Sequence, residues 1–325
     1  MESSRQESSA PIPLDMRVAL NNFDSESLDI VRRWLSKLRE RPVPTFIYHY
    51  TTDVGLRGIL ESGKLWLTDI FALNDPSELR HGFSLATDVL DDKAKSGPDE
   101  YRLFANNFKE ALNEGIEISA HYFVCSFSAC GDDLSQWRAY ADNGCGYALE
   151  FNTEPLEKHF CQLARTSTSD GEAFPVTYDD NKLAEIHRQI IKEVLPITSL
   201  PRGKNLSHDA LRMYWSGLLA KCAVHLLHPS LYFKHKAYEN EKEYRFLELH
   251  RADASPDVKF RPRDYELIRY REFGWRSAAA GALKRIVVGP GADCKKSREY
   301  ADQCLHDCGF SGVEIACSNI PYRPR

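Results

Sequence analysis

The chain has 325 residues, of which 42% are hydrophobic, and this length allows one large domain or two ordinary ones with a substantial core. Its 42 lysine and arginine residues nearly balance 47 aspartate and glutamate residues, so the composition gives no overall basic field of the kind that binds long nucleic acids. No apolar run approaches the roughly 20 residues that span a bilayer, and the N-terminus lacks the pattern of a secretion signal. These features predict a cytoplasmic protein without membrane contact.

The nine cysteines are scattered, which indicates neither a disulfide framework nor a zinc site.

The N-terminal 20 residues are predicted to be disordered, and residues 21–325 are predicted to form a single α+β domain. A helix from about Ser25 to Arg39 carries one apolar face and is expected to act as a brace. The apolar run at residues 46–48 then predicts a strand that ends at His49. A short helix, a stop at Ser62-Gly63 and a returning strand at residues 65–67 follow.

Further along the chain, residues 71–82 are predicted to form a loop, and residues 99–114 a helix. Alternating apolar residues at 121–127 and 146–151 predict strands on either side of a short helix at 134–141. Strands are also expected at 174–178, 243–249, 285–288 and 313–317, and helices at 181–194, 207–228 and 294–308. Because strands and helices do not alternate regularly, the pattern favours an α+β fold rather than a parallel α/β fold.

Two clusters with potential for chemistry lie in the first quarter of the chain. His49, Tyr50 and Thr51 stand at a predicted strand end, where backbone groups can meet a ligand; the alternative is that His49 is an ordinary half-buried histidine. Asn74 and Asp75 precede a proline, which predicts either a structural turn or a ligand-binding loop at the rim of the site.

Two more clusters follow. Ser126 and Ser128 lie at a predicted strand end, and Trp137 and Tyr140 share a face of the next helix. Trp137 is typical of a core residue, whereas Tyr140 is expected to present its hydroxyl to a ligand. In the sequence EKEYR, the residues Glu241, Glu243 and Arg245 are predicted to share one side of a strand by the period of two. This polar patch is interpreted either as a binding site or as a solvated strand face.

The motifs YHYT at residue 48, LNDPSE at 73, SFS with QWRAY at 126–140 and EKEYR at 241 together resemble a large, mainly bacterial family known only as a domain of unknown function. The resemblance spans nearly the whole chain. Tyr238 departs from it, standing where that family often has tryptophan, and the N-terminal 40 or so residues are peculiar to this protein.

The order strand, H-Y-T, helix and G-K-L strand is similar to the opening of ADP-ribosyltransferases and of RNA 2′-phosphotransferases. This resemblance implies a split central sheet flanked by helices and NAD as the substrate. It also implies that His49 contacts the NAD ribose, with Tyr50 and Thr51 beside it, and that Glu243 or Glu241 is the catalytic carboxylate. Tyr140, or the strand with Ser126 and Ser128, stands where such enzymes hold nicotinamide. Arg245, Trp137, Asn74 and Asp75 complete the expected nucleotide site.

Two other functional classes stay open at this stage. In a metal-dependent phosphodiesterase or nuclease, Asp75, Glu78, Glu241 and Glu243 would gather a divalent cation, although the sequence has no tight ligand spacing. In a nucleotide-binding sensor, the same pocket would bind its ligand without turnover. The preferred prediction is an ADP-ribosyltransferase-like enzyme that needs no metal. Its acceptor, whether protein, nucleic acid or water, and its role as toxin, phage-defence effector or housekeeping enzyme are open.

Overall fold

The structure is a computed structural model and describes residues 12–73, 77–114, 120–251, 254–276 and 281–323, with the side chains of Arg39 and residues 77–79 left out. The helices are α1 (Leu14–Arg39), α2 (Asp53–Ser62), α3 (Ser77–Ser96), α4 (Asp99–Glu114), α5 (Leu134–Tyr140), α6 (Thr153–Ala164), α7 (Asp180–Val194), α8 (His208–Ser230) and α9 (Cys294–Asp307). The strands are β1 (Phe46–Thr51), β2 (Lys64–Asp69), β3 (Ala120–Ser128), β4 (Tyr147–Asn152), β5 (Ser169–Pro175), β6 (Glu243–Arg251), β7 (Lys259–Arg263), β8 (Glu266–Gly274), β9 (Leu283–Val288) and β10 (Glu314–Cys317).

The chain forms two compact units, each built from three segments. The helical unit comprises residues 1–38, 77–119 and 179–235, and the sheet unit comprises residues 39–76, 120–178 and 236–325. The predicted extent of one domain over residues 21–325 stays a prediction, because two compact units can unfold either together or separately.

The helical unit contains α1, α3, α4, α7 and α8. Helix α1 begins at Leu14, inside the segment predicted to be disordered, because Met16 and Leu20 are buried and extend its apolar face. Asp24 of α1 binds Lys221 and His225 of α8 through its two carboxylate oxygens. Helix α3 begins at Ser77, within the predicted loop at residues 71–82. No helix among the described residues is long and apolar enough to cross a membrane.

His187 of α7 gives the helical unit a predictable response to acid. Its side chain is fully buried, and its Nε2 lies 3.2 Å from the carbonyl oxygen of Leu226. Burial lowers the pKa of His187 to about 4, so between pH 6.5 and pH 4 the unfolded chain binds a proton that the folded chain does not. Stability from this group is complete above pH 6.5 and is lost as the pH falls toward 4.

We expect the wild-type free energy of unfolding to fall by roughly 3 kcal/mol more than that of His187→Gln between pH 7 and pH 4, since glutamine does not titrate. Urea denaturation of both proteins at several pH values measures this difference. Identical pH dependence in the two proteins would show that His187 is not the group responsible.

The sheet unit contains one mixed, open sheet flanked by helices. The strand order is β10-β9-β4-β1-β3-β2-β8-β7, while β6 pairs with β3 and with β5. Strands β9 and β10 are parallel, and the other described pairs are antiparallel. The stop predicted after α2 is confirmed, since Gly63 adopts a left-handed φ of 62° and begins the turn into β2.

Strands β1 and β2 both pair with the same edge of β3, but at separate points. Strand β6 pairs with β3 over its whole length, so it occupies one edge completely. On the opposite edge, β1 pairs with β3 at Tyr48 and Ser128, whereas β2 pairs with it at Thr68 and Val124. The described pairing leaves residues 125–127 of that edge between the two strands. We call this opening the β1–β2 gap.

One apolar core cluster of the sheet unit lies on the face of the sheet where Phe127, Phe151 and Phe246 pack together. One cysteine prediction is wrong, because Cys294 and Cys317 form a disulfide across 23 residues of sequence. Their spacing gives no sign of it, since the approach of α9 to β10 brings the two residues together. Cys304 is a buried packing residue.

Candidate functional site

A buried carboxylate lies beside the β1–β2 gap. Glu243, the first residue of β6, is 5% exposed. Its Oε1 accepts hydrogen bonds from Ser126 Oγ at 2.7 Å and from Arg245 Nε at 2.8 Å, and its Oε2 accepts from Arg245 Nη2 at 3.0 Å. A two-pronged bond to a guanidinium holds a carboxylate ionised and in one orientation. Glu243 is therefore a fixed anion.

The register of β6 against β3 explains this arrangement. Glu243 stands opposite Ser128, and Arg245 stands opposite Ser126, so all four side chains start from the same face of the sheet. The backbone N–H of Glu243 donates to Tyr178 Oη at 2.9 Å, which fixes the start of the strand. Tyr178 was not among the predicted site residues, because nothing in its local sequence pattern relates it to residue 243.

Glu241 lies outside this strand, which corrects the prediction that it shares a strand face with Glu243 and Arg245. It ends a 3-10 helix over Lys236–Glu241, and the next residue, Lys242, has a left-handed φ of 45° that breaks the period of two. The Glu241 carboxylate is half-buried and accepts a hydrogen bond from Tyr140 Oη at 3.2 Å. Because Tyr140 is 41% exposed, this pair is accessible to solvent.

His49 lies on β1 beside the β1–β2 gap, but its side chain starts from the face of the sheet opposite to Ser126 and Glu243. On that face its ring meets Phe127 of the apolar core edge to face, at 5.7 Å between centroids. Its Nδ1 lies 3.4 Å from the carbonyl oxygen of Ser126, so Nδ1 carries the proton and donates. Loss of hydration lowers the pKa of the imidazole, an effect that this hydrogen bond partly opposes. At neutral pH the ring is therefore uncharged, and its Nε2 presents a lone pair that accepts hydrogen bonds.

Ser126 joins the two functional groups that are furthest apart in the sequence. Its carbonyl oxygen meets His49, and its hydroxyl meets Glu243. Ser126 itself is exposed. The β1–β2 gap therefore has a fixed carboxylate on the face of Ser126 and a neutral histidine on the opposite, apolar face.

Tyr50 and Trp137 support the site from within the fold. Both side chains are buried, and their rings meet edge to face at 4.8 Å between centroids. Tyr50 Oη donates to the carbonyl oxygen of Cys130 at 2.8 Å, while Trp137 Nε1 donates to Asp132 Oδ1 at 2.8 Å. These contacts anchor α5, which carries Tyr140, to β1. They give both residues a packing role, the alternative stated above for Trp137.

The other predicted binding residues lie in different settings. Ser128 Oγ donates to the backbone carbonyl of Glu241 at 2.7 Å and so positions that residue. Thr51 ends β1, opposite Tyr147 of β4. Asn74 and Asp75 lie outside the described residues.

Among the described residues, no group of three or more histidine, cysteine, aspartate or glutamate side chains is arranged to hold a metal ion. Of the four carboxylates considered for a metal site, Glu241 and Glu243 are described, and Glu243 is already bound by a guanidinium. The polar groups of the site are instead an anion, the Glu243 carboxylate, and a hydrogen-bond acceptor, His49 Nε2.

No curated protein and no solved structure matches the chain. The family described as "Protein of unknown function (DUF2971)" matches residues 136–246, from α5 to the middle of β6. This segment includes Tyr140, Glu241, Glu243 and Arg245, and it excludes His49 and Ser126. The predicted resemblance to a family of unknown function is confirmed for about a third of the chain, which is similar to DUF2971. That third includes both glutamates of the candidate site.

Proposed function

We propose that the protein is an NAD-consuming, ADP-ribosyltransferase-like enzyme whose active site is the β1–β2 gap. The observation that carries this proposal is the fixed carboxylate of Glu243, which Ser126 connects to the neutral imidazole of His49. Loss of nicotinamide from NAD places positive charge on the ribose. A preorganised anion stabilises such a charge best when it needs no rearrangement during the reaction.

The sheet supports the same reading. Strands β1 and β2 pair with one edge of β3 at different points, and this separation is our reason for proposing an ADP-ribosyltransferase-like split sheet. The SFS sequence on β3 supplies a serine that bonds the carboxylate. We propose that this strand serves as the serine-rich strand that the resemblance implies.

The two glutamates have different environments and take different roles in this proposal. When the bond between ribose C1′ and the nicotinamide nitrogen breaks, its electron pair leaves with nicotinamide, and Glu243 stabilises the cationic ribose. His49 Nε2, from the face of the sheet opposite to Glu243, accepts a hydrogen bond through the gap from a ribose hydroxyl and orients the sugar. Glu241, which is accessible and bonded to Tyr140, takes the proton of the acceptor as the acceptor's nucleophile forms the new bond to C1′.

The direct test is release of nicotinamide from NAD by the wild-type protein, measured chromatographically with protein, RNA and DNA acceptors and with water alone. We expect release that a metal chelator does not reduce, since every proposed group is a side chain. Release abolished by chelator would indicate a metal-dependent reaction. Absence of release with every acceptor would contradict the proposal.

A further inference from the structure

A second group of side chains faces the β1–β2 gap from the side of β2. Trp66 lies two residues before Thr68, which pairs with Val124, and Ser126 lies two residues beyond Val124 on β3. Because side chains alternate between faces with a period of two, Trp66 and Ser126 lie on the same face of the sheet, on opposite sides of the gap. Trp66 is 45% exposed, which is unusual for so large an apolar ring within a sheet.

Trp66 is held as a platform by two neighbours. The ring of Tyr270 packs beside it at 4.6 Å between centroids, and the guanidinium of Arg261 lies 5.2 Å from the centre of its ring. Arg261 Nη2 also donates to the hydroxyl of Thr68 at 3.3 Å. These contacts restrict the indole while leaving much of it exposed.

The charge beside this platform suits an anion. Arg263 is two residues from Arg261, and burial together with this second guanidinium lowers the pKa of Arg261. The Nε of Arg261 is buried and has no hydrogen-bond partner among the described residues. A buried N–H without an acceptor is costly to the fold, so the Arg261 side chain gains a hydrogen bond if it turns its Nε toward a bound anionic oxygen. Lys64 and Lys259, by contrast, both pair with Glu272.

We propose that Trp66, Arg261 and Arg263 form a nucleotide subsite, in which the indole stacks on a heterocyclic base and the guanidiniums bind the adjoining phosphates. The subsite deepens the proposed function, since it would hold the adenosine and phosphate portion of NAD while the nicotinamide ribose meets Glu243. An exposed aromatic ring next to paired guanidiniums is the chemistry that recognises a base followed by phosphate.

The test uses ADP-ribose, which carries the base and phosphates but no nicotinamide, so that binding is measured apart from turnover. We expect Trp66→Leu and Arg261→Gln each to raise its Kd, measured by calorimetry, by roughly tenfold or more, because each removes one recognition element. Phe260→Ala is the matched control, since Phe260 is an exposed aromatic residue next to Arg261 in β7, on the other face. It should leave the Kd unchanged.

Tryptophan fluorescence gives a second readout, which does not require a variant that disrupts the fold. The chain has five tryptophans, and base stacking on Trp66 should quench part of the wild-type emission. Trp66→Phe retains a stacking ring, so it should bind ADP-ribose nearly as well as wild type but lose that quenching. This variant keeps the test valid if Trp66→Leu fails to fold.

The outcomes separate this inference from the proposed function. Wild-type affinity for ADP-ribose in both Trp66→Leu and Arg261→Gln, or no binding of ADP-ribose by the wild type, overturns the subsite. Binding that depends on Trp66 and Arg261, without any nicotinamide release, supports the subsite and contradicts the transferase. That result would indicate a nucleotide sensor.

Discussion

Replacing Glu243 with glutamine should reduce nicotinamide release by about 10²-fold or more, while NAD affinity changes far less. Glutamine keeps the length of the side chain and can still bond Ser126, but it removes the anion that faces the developing charge. Single-turnover measurement of nicotinamide, together with a separate measurement of the Kd for NAD, distinguishes these two effects.

Glu241→Gln is the matched comparison for this prediction, because the second carboxylate has the same chemistry but a different setting. It should lower transfer to an acceptor more than it lowers hydrolysis of NAD, since Glu241 is proposed to act on the acceptor's proton. Full activity in Glu243→Gln, with activity lost in Glu241→Gln, would assign the electrostatic role to Glu241 instead.

Replacing Arg245 with methionine should lower the free energy of unfolding by about 3–5 kcal/mol, because it leaves the buried carboxylate of Glu243 without its partner. Both side chains are nearly fully buried, at 3% and 4% exposure, so water cannot compensate for the loss. Urea denaturation at pH 7 measures the change.

The double variant Glu243→Gln/Arg245→Met should regain part of this stability, because it removes both charges and leaves no isolated ion. Arg188→Met serves as a control, since Arg188 forms an exposed pair with Glu185 one helical turn away and should change stability by less than about 1 kcal/mol. Equal stability of Arg245→Met and wild type would mean that the pair is solvated and that Glu243 is not held as described.

The sequence predicted helices and strands well where the buried positions determine the order of apolar and polar residues. Strand β3 was expected at residues 121–127 and spans Ala120–Ser128, and helix α4 was expected at residues 99–114 and spans Asp99–Glu114. In α4 the buried residues Phe104 and Phe108 recur at the helical period, whereas residues 122–125 of β3 form a continuous apolar run that is buried on both faces. Helix α6 (Thr153–Ala164) was missed, although Leu156 and Phe160 show that period.

The β7–β8 hairpin could not be predicted in the same way. Pro262 lies within β7, a residue that argues against a strand in sequence, and β7 tolerates it because the only described partner of β7 is β8. The turn uses Asp264 and Tyr265, both with positive φ, although neither is glycine. The sequence therefore lacked the usual signals for a strand pair, and Arg261 was missed with it.

Individual residues of the candidate site could be predicted from the sequence, but the strand pairing that brings them together could not. The spacing of Glu243 and Arg245 indicated a shared strand face, which β6 shows. The left-handed backbone of Lys242 removed Glu241 from that face, and no residue preference announces it. The relation of Trp66 to Ser126 depends on the pairing of β2 with β3, which only the folded sheet specifies.

A crystal structure of the wild-type protein with a non-hydrolysable carbocyclic NAD analogue would test the proposed active site most directly. We expect the ribose next to nicotinamide to lie in the β1–β2 gap, with its hydroxyls within hydrogen-bond distance of His49 Nε2 and of the Glu243 carboxylate. An analogue bound elsewhere on the molecule, or a gap that stays closed to the analogue at saturating concentration, would contradict this expectation.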